Sequence, residues 1–408
     1  MAAHRRHTRR WPAAIDHDGH DYLSTAQVAK VLGIKRESVY AYVSRGRLHS
    51  VRIAGVRGSV FAVDEVEALA GAGARTRPPA GVVERIRTQL TSLSGDELCY
   101  RGIPARELVS RDFLDVARLL WGHDVPAQRS PLDESAATHL RAALPDTAGL
   151  LDVVRIAVDL AGAADPLRHQ RTGAVVATKA MQILEAVSAA LPAVGGDAAP
   201  GSAGSYAQRL WPKLSPLAAT PARVGVLNAA LVLLADHDLA ASTVAARVAA
   251  SARAGVYSVV AAGLAALDAP MHGGAATAAY RYLRAALADP VTAVATSLRA
   301  GERIPGTGHR IYREHDPRAL ALLELLARAG GGARVHAAVE TIISASDFVN
   351  SDLALAAMAL QFRMPADAPE TVFGIARMAG WVAHALEEYD EPMLRFRPEG
   401  VYVGKRSN

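Results

Sequence analysis

Between Asp268 and Tyr280 the chain runs DAPMHGGAATAAY, which sets His272 directly before two glycines at the end of an apolar stretch. A helical face needs neither the glycines nor the imidazole. Together they predict a tight turn presenting a side chain that can give or take a proton near neutral pH. A helix stop with an incidental histidine produces the same string, so this stretch alone establishes no chemistry. Other stretches carry groups of the same kind. His237 lies between two aspartates in LLADHDLAAS, and His309 and Arg318 lie in IPGTGHRIYREHDPRA. Asp352 lies in FVNSDLALAAM, Arg377 in FGIARMAGWVAHALEEY and Arg397 in RFRPEGVYVG. Imidazoles and a carboxylate suit proton transfer, and the planar fork of arginine suits recognition of carboxylate oxygens in pairs. Taken singly, each has a plainer explanation: a helix cap for His237 or Asp352, a surface ion pair for Arg318, a core-edge side chain for Arg377.

The elements that must position these residues are helices. The 408 residues exceed one ordinary core, so two or more domains are expected. Hydrophobic residues make up 50% and aromatic residues only 5%, a balance suited to Ala, Leu and Val helices rather than a β-sandwich. From Leu150 onward long apolar helical patterns alternate with short polar or glycine-containing turns. Cys99 is the only cysteine, which rules out an intrachain disulfide framework or a multi-cysteine metal site and fits a reducing compartment. The basic N-terminus has no apolar stretch behind it, and the longest apolar run, Val256 to Leu267, is too short to span a bilayer. A soluble cytoplasmic protein with no membrane association is expected.

Charge is concentrated at one end. Residues 1–80 hold 13 Lys and Arg against 7 Asp and Glu, a net +6, which leaves the rest at −1 out of a total of +5. Within that segment Ser24 and Gln27 stand at capping-box spacing, and a helix carrying Val28, Val31 and Leu32 on one face stops at Gly33. A second helix is predicted from about Arg36 to Ser44, with Val39 and Val43 inward and Lys35, Arg36 and Arg45 outward. HSVRIAGVRGSVFAV reads as two strands around Gly55 to Gly58, a wing, before DEVEALA opens another helix. This pattern resembles the small winged helix-turn-helix of the MerR and excisionase type. Arg5, Arg6, Arg9, Arg10, Arg52 and Arg57 suit contacts with DNA phosphates, although such modules also serve in dimerisation or docking. GAGARTRPPAG, residues 71–81, reads as a connector, and VGGDAAPGSAGS, residues 194–205, as a long internal loop.

In their order and approximate spacing, the chemistry-bearing stretches resemble those of citrate synthases, and the match extends from LCYRGIPARELV, Leu98–Val109, to the C-terminus. The resemblance implies a mainly α fold: a winged helix-turn-helix at residues 1–77, then a two-domain synthase at 78–408. Its large domain would comprise about 78–272 and 364–408, and a small domain of about 273–363 would close over coenzyme A. It further implies an acyltransferase condensing acetyl-CoA with oxaloacetate, acetyl-CoA being a substrate, with no metal or other cofactor. Asp352 would take the methyl proton, Asp347 being passed over because Asn350 precedes Asp352 by two residues. His272 would hydrogen-bond the enolate oxygen, with Gly273 and Gly274 admitting the thioester, and His309 would polarise the oxo-acid carbonyl. Arg318, Arg377 and Arg397, with His237, would hold the oxo acid. The last arginine would enter from a neighbouring subunit, so a homodimer with shared sites is implied; Arg395, two residues earlier, competes for that role.

Thr307 and Ser351 stand where the family usually has a bulkier residue, and the synthase-like portion is short, which bears on acceptor size and regulation. Propionyl-CoA, giving 2-methylcitrate, is an open alternative because one methylene discriminates weakly. A DNA-binding regulator that keeps the synthase fold as a coenzyme A or oxo-acid sensor is another. His315, His336 and His384 match no functional position and read as structural or surface histidines.

Overall fold

The structure, a computed structural model, describes residues 15–17, 20–72, 86–194, 204–346 and 348–396. The chain forms two compact units, Met1–Arg87 and Thr88–Asn408. Most of the expected connector and of the expected internal loop lies outside the described residues, as do the four arginines nearest the N-terminus, Asp347 and Arg397.

In the first unit β1 (Ile15–His17), β2 (His20–Ser24), β3 (Ser50–Val51) and β4 (Val60–Ala62) form an antiparallel sheet in the order β1-β2-β4-β3. Three helices complete it: α1 (Thr25–Leu32), α2 (Arg36–Ser44) and α3 (Val63–Ala72). The Ser24–Gln27 capping box starts α1 and Gly33 ends it in the left-handed conformation. Leu23, Val28, Val39, Leu48, Phe61, Val63 and Val66 form a small core with Val43 packed against it. The wing is present as the β3–β4 pair. The β1–β2 hairpin was not expected from sequence.

The second unit opens with an unexpected three-stranded antiparallel sheet, β5 (Thr91–Ser94), β6 (Glu97–Tyr100) and β7 (Ile103–Pro104). Helices follow: α4 (Phe113–Trp121), α5 (Glu134–Ala143), α6 (Leu150–Ala164), α7 (Gly173–Ala190), α8 (Tyr206–Leu214) and α9 (Pro221–Leu234). After these come α10 (Ala241–Ser251), α11 (Val256–Leu267), α12 (Gly274–Ala286), α13 (Pro290–Ala300) and α14 (Pro317–Arg328). The last three are α15 (Ala333–Ser346), α16 (Ser351–Gln361) and α17 (Ala368–Tyr389). No described helix is long and apolar enough to cross a membrane.

The organising element is α17, 22 residues long and buried without a break from Thr371 to Ala385. It packs against α4, α6, α7, α9, α10, α11 and α12. Such all-round burial demands apolar or small residues on every face, and the sequence supplies Gly374, Ala376, Ala379, Gly380 and Ala383 between its larger side chains. At Gly380 a side chain is impossible, because a Cβ would stand 2.4 Å from Asp236 Oδ1 and 2.5 Å from Ala235 O. The segment after α9 therefore lies directly on the backbone of α17.

Candidate active site

His237 sits on that segment, between α9 and α10. Three neighbours staple the segment down: Arg377 Nε donates to Leu234 O at 2.9 Å, Gly380 N–H to Ala235 O at 2.9 Å, and Tyr100 Oη–H lies 3.1 Å from Asp236 O. So held, His237 Nε2 meets the hydroxyl of buried Tyr312 at 3.0 Å, and its ring stands edge-on to His309 at 5.4 Å. Burial pushes the His237 pKa well below the usual histidine value, with the charges of Arg318 and Arg377 adding to it, so the ring is neutral.

His309 is fixed by the loop before α14. Its Nδ1 accepts from the backbone N–H of Ile311 at 3.0 Å and of Tyr312 at 3.2 Å, which leaves the ring proton of the neutral form on Nε2. Arg318 Nη2 lies 3.3 Å from that nitrogen. Two donors so placed are satisfied jointly by one oxygen set against both.

Asp316 joins this pair to the remaining carboxylate. It caps α14, accepts a fork from Arg318 at 2.9 and 2.8 Å, and accepts the Ser351 N–H from the start of α16 at 3.0 Å. Burial opposes both charges of the Asp316–Arg318 pair. Their mutual attraction outweighs it, holding Asp316 below and Arg318 above their usual values. The sequence reading missed Asp316, although it stands in the HDPRA string; as a residue before proline it had the look of an ordinary cap.

Asp352 is the second residue of α16, and the cap is Asn350, whose Oδ1 accepts the Asp352 N–H at 3.0 Å. Asn350 also ties α16 to the glycine loop: its Nδ2 donates to Gly308 O at 2.9 Å and its N–H to Gly306 O at 3.0 Å. The loop carrying His309 and the helix start carrying Asp352 are therefore laced together. Burial pushes the Asp352 pKa up to about 6, with Asp316 adding to it and Arg318 and Arg303 pulling it down. A carboxylate so tuned is ionised at neutral pH and is a stronger base than usual.

His272 occupies the predicted turn, between α11 and α12. Its Nε2 is 2.8 Å from Ser242 Oγ, which accepts from Trp381 Nε1–H at 3.3 Å. Its ring stands edge-on to Phe373 at 5.5 Å, and burial, aided by the Arg377 charge, lowers its pKa to about 4. Gly273 also has a packing role in the turn. A Cβ on Gly273 would come within 2.8 Å of Leu267 O and of the Leu267 side chain, so close packing of the turn on α11 requires that glycine.

Arg377 is 1% exposed and lies over the Phe373 ring at 4.8 Å. Burial lowers its pKa to about 10, with Asp236 opposing that shift. Its Nη2 is buried without a hydrogen-bond partner. A guanidinium kept in that condition is ready for an incoming carboxylate.

The structure thus brings His237, His309, Arg318 and Asp352 into one linked cluster, and joins His272 to Arg377 through Phe373. Arg397 lies outside the described residues. Arg395 is engaged in a fork with Glu388 at 2.7 Å on both arms. His384 is fully buried rather than a surface residue. Tyr312, Asp316 and Ser242 were not singled out from sequence, since each acts through a partner distant in the chain or through its backbone neighbours.

Known proteins carry the same architecture. The family model described as citrate synthase, C-terminal domain, matches residues 81–399, and a helix-turn-helix domain model matches residues 22–72. The 2-methylcitrate synthase of Mycobacterium tuberculosis is 29% identical over 76% of this chain and 85% of its own. Citrate synthase 2 of Bacillus subtilis is 27% identical over 81% of this chain and 96% of its own. Among solved structures, the citrate synthase of Thermoplasma acidophilum, in a ternary complex with carboxymethyl coenzyme A and oxaloacetate, superposes with a TM-score of 0.68. That match has 25% identity and covers 80% of this chain and 95% of the other. With more than three quarters of its length matched by the family model and the fold shared with a solved member over 80% of the chain, the chain belongs to the citrate synthase family, and its second unit is a citrate-synthase-type enzyme.

Proposed function

We propose that the enzyme condenses acetyl-CoA with oxaloacetate to give citrate and coenzyme A. Asp352 takes a proton from the methyl group of the thioester. His272, neutral, donates a hydrogen bond to the oxygen that becomes the enolate. The nucleophilic carbon then attacks the oxo-acid carbonyl, whose oxygen accepts from His309 Nε2–H and Arg318 Nη2 and takes the His309 Nε2 proton as the new bond forms. Water cleaves the resulting thioester and releases coenzyme A. Arg377 and His237 hold the acceptor's carboxylates, and Arg397, entering from a second copy of the chain, completes the clamp. Side chains supply all of this chemistry, so no metal or redox cofactor enters the scheme.

The observation that carries this reading is the Asp316 junction. One buried carboxylate fixes both the guanidinium that faces His309 and the start of the helix that presents Asp352, so acceptor site and base are positioned together. A homodimer is supported by apolar side chains left exposed at helical spacing, Ile156 and Leu160 on α6 and Val244 and Val248 on α10. The small domain, about residues 273–363, would close over coenzyme A and exclude water.

The test is release of coenzyme A thiol by the purified protein with oxaloacetate, comparing acetyl-CoA with propionyl-CoA and using Asp352→Asn as the blank. Release that depends on Asp352 supports the assignment and ranks the donors; propionyl-CoA as the better donor would make it a 2-methylcitrate synthase. Binding of oxaloacetate or coenzyme A without any release would move the assignment to a sensor.

A second reading concerns the first unit, a MerR- or excisionase-like reader of duplex DNA. Lys35, Arg36 and Arg45 are exposed on or beside α2, and Arg52 and Arg57 are exposed in the wing. Arg36, Tyr40 and Arg57 line one shallow concavity of about 470 Å³. Retardation of random duplex DNA that weakens steeply with salt would support it, and no retardation at low salt would remove it.

A further inference from the structure

Behind His237 and Arg377 lies a chain of buried polar groups that the proposed chemistry does not use. Asp236, His384, Arg247 and Glu388 are each 0–1% exposed. Arg247 Nε donates to His384 Nδ1 at 3.0 Å, which places the ring proton on Nε2, and Nε2–H donates to Asp236 Oδ2 at 3.2 Å. Thr91 donates its hydroxyl to the same carboxylate oxygen. Arg247 is itself held by Glu388, at 2.9 Å, and by Glu387, and Glu388 also takes the fork from Arg395. The ring of His384 therefore has one orientation and one tautomer.

The other Asp236 oxygen, Oδ1, is buried and accepts no hydrogen bond, and Arg377 Nη2 is buried and donates none. The two residues belong to one packed unit: Arg377 Nε holds Leu234 O, two residues before Asp236, and Gly380, one turn further along α17, holds Ala235 O. A carboxylate that paired directly with Arg377 would occupy the donor an incoming substrate needs. Tethered instead by His384 and Thr91, it offsets the buried guanidinium charge from a distance and leaves Nη2 open. It also fixes the backbone from which the next residue, His237, projects.

We propose that Asp236 and His384 are a positioning pair for the oxo acid. His384 holds the Asp236 carboxylate back from Arg377, and thereby keeps Arg377 and His237 available to the acceptor's carboxylates, without touching the acyl-donor side of the site. The inference rests on the oxo-acid reading of Arg377 and His237.

The test uses His384→Gln and His384→Leu in the full-length enzyme. Glutamine offers an acceptor toward Arg247 and an N–H donor toward Asp236; leucine offers neither. For His384→Leu the KM and the calorimetric Kd for oxaloacetate should rise by roughly tenfold or more, the scale of losing one charge-assisted hydrogen bond, with the KM for acetyl-CoA unchanged. His384→Gln should stay close to wild type in all three. Wild-type oxaloacetate affinity in His384→Leu, parallel rises in both KM values, or equal impairment in His384→Gln would each overturn the proposal. Should His384→Leu fail to fold, Thr91→Val removes the other tether and must shift oxaloacetate affinity in the same direction; no shift would overturn it. A wild-type enzyme that neither binds oxaloacetate nor turns it over would defeat the acceptor assignment, and this inference with it.

Discussion

Ser242 stands between Trp381 and His272 and sets the state of the imidazole. Trp381 Nε1 can only donate, so Ser242 Oγ accepts from it at 3.3 Å and directs its own proton to His272 Nε2 at 2.8 Å. The ring proton is left on Nδ1, the nitrogen that can then serve as donor to the developing enolate. Ser242→Ala should lower kcat by roughly tenfold to a hundredfold while the oxaloacetate KM holds, as removal of an orienting bond behind an acid–base group predicts. Steady-state kinetics check this, and an unchanged kcat would remove Ser242 from the catalytic arrangement.

Asp352→Asn should abolish turnover, leave oxaloacetate binding intact and stabilise the protein. The Asp352 pKa is raised from 3.8 to about 6, so the folded state binds this proton more tightly than the unfolded chain does. The stability linked to this group is fullest below the ordinary carboxylate range, falls as pH rises between those two values, and stays lower at neutral pH. Removing the charge should therefore raise stability at pH 7 by roughly 1–2 kcal/mol, less than the full shift implies because Asp352 keeps some contact with solvent. Thermal unfolding of the variant measures the gain.

The same residue sets the acid limb of the pH profile. For kcat/KM, activity should decline as pH falls through about 6, where Asp352 takes up its proton. His272, at about 4, contributes no limb above pH 5. A profile flat down to pH 5 would exclude Asp352 as the base.

Arg318 and Arg377 should part company in stability while agreeing in function. Either one replaced by Leu should raise the oxaloacetate KM by roughly a hundredfold, the scale of losing one partner of a charged pair. Arg318→Leu also leaves buried Asp316 unpaired and should cost about 3–5 kcal/mol of folding free energy. Arg377→Leu removes a buried cation that already lacks a partner for Nη2, and should cost far less. Denaturant unfolding of the two variants separates them.

Deleting residues 1–77 should leave kcat and both KM values near those of the full chain if the first unit reads DNA. Arg36→Ala and Arg57→Ala should each weaken DNA binding about equally for all sequences and reduce the salt dependence by about one counterion. A deletion that instead dissociates the oligomer would make the unit structural.

The legibility of the chain divides along physical lines. His272 and Asp352 stand out in sequence because their local surroundings are unusual: glycines beside a histidine, an asparagine cap before an aspartate. The helices of the first unit are legible for the same local reason, since the Ser24–Gln27 box and Gly33 act within a few residues. The three short strands from Thr91 to Pro104 escape notice because so few residues carry too little alternation to register. Asp316 and His384 escape because their value lies in partners 35 and 148 positions away. No local pattern encodes a buried carboxylate joining two helix starts.

Arg377, Gly380, His384 and Glu388 fall at intervals of three and four along one face of α17, and each meets a different partner there. Their alignment constrains how this lineage can change length. Loops between helices can gain or lose residues and leave the helices where they are. One residue inserted into α17 between Arg377 and Glu388 would rotate everything beyond it by about 100°. Either Arg377 or the anchor at Glu388 would then face the wrong side of the core, so this eleven-residue interval is fixed in length for as long as the site works.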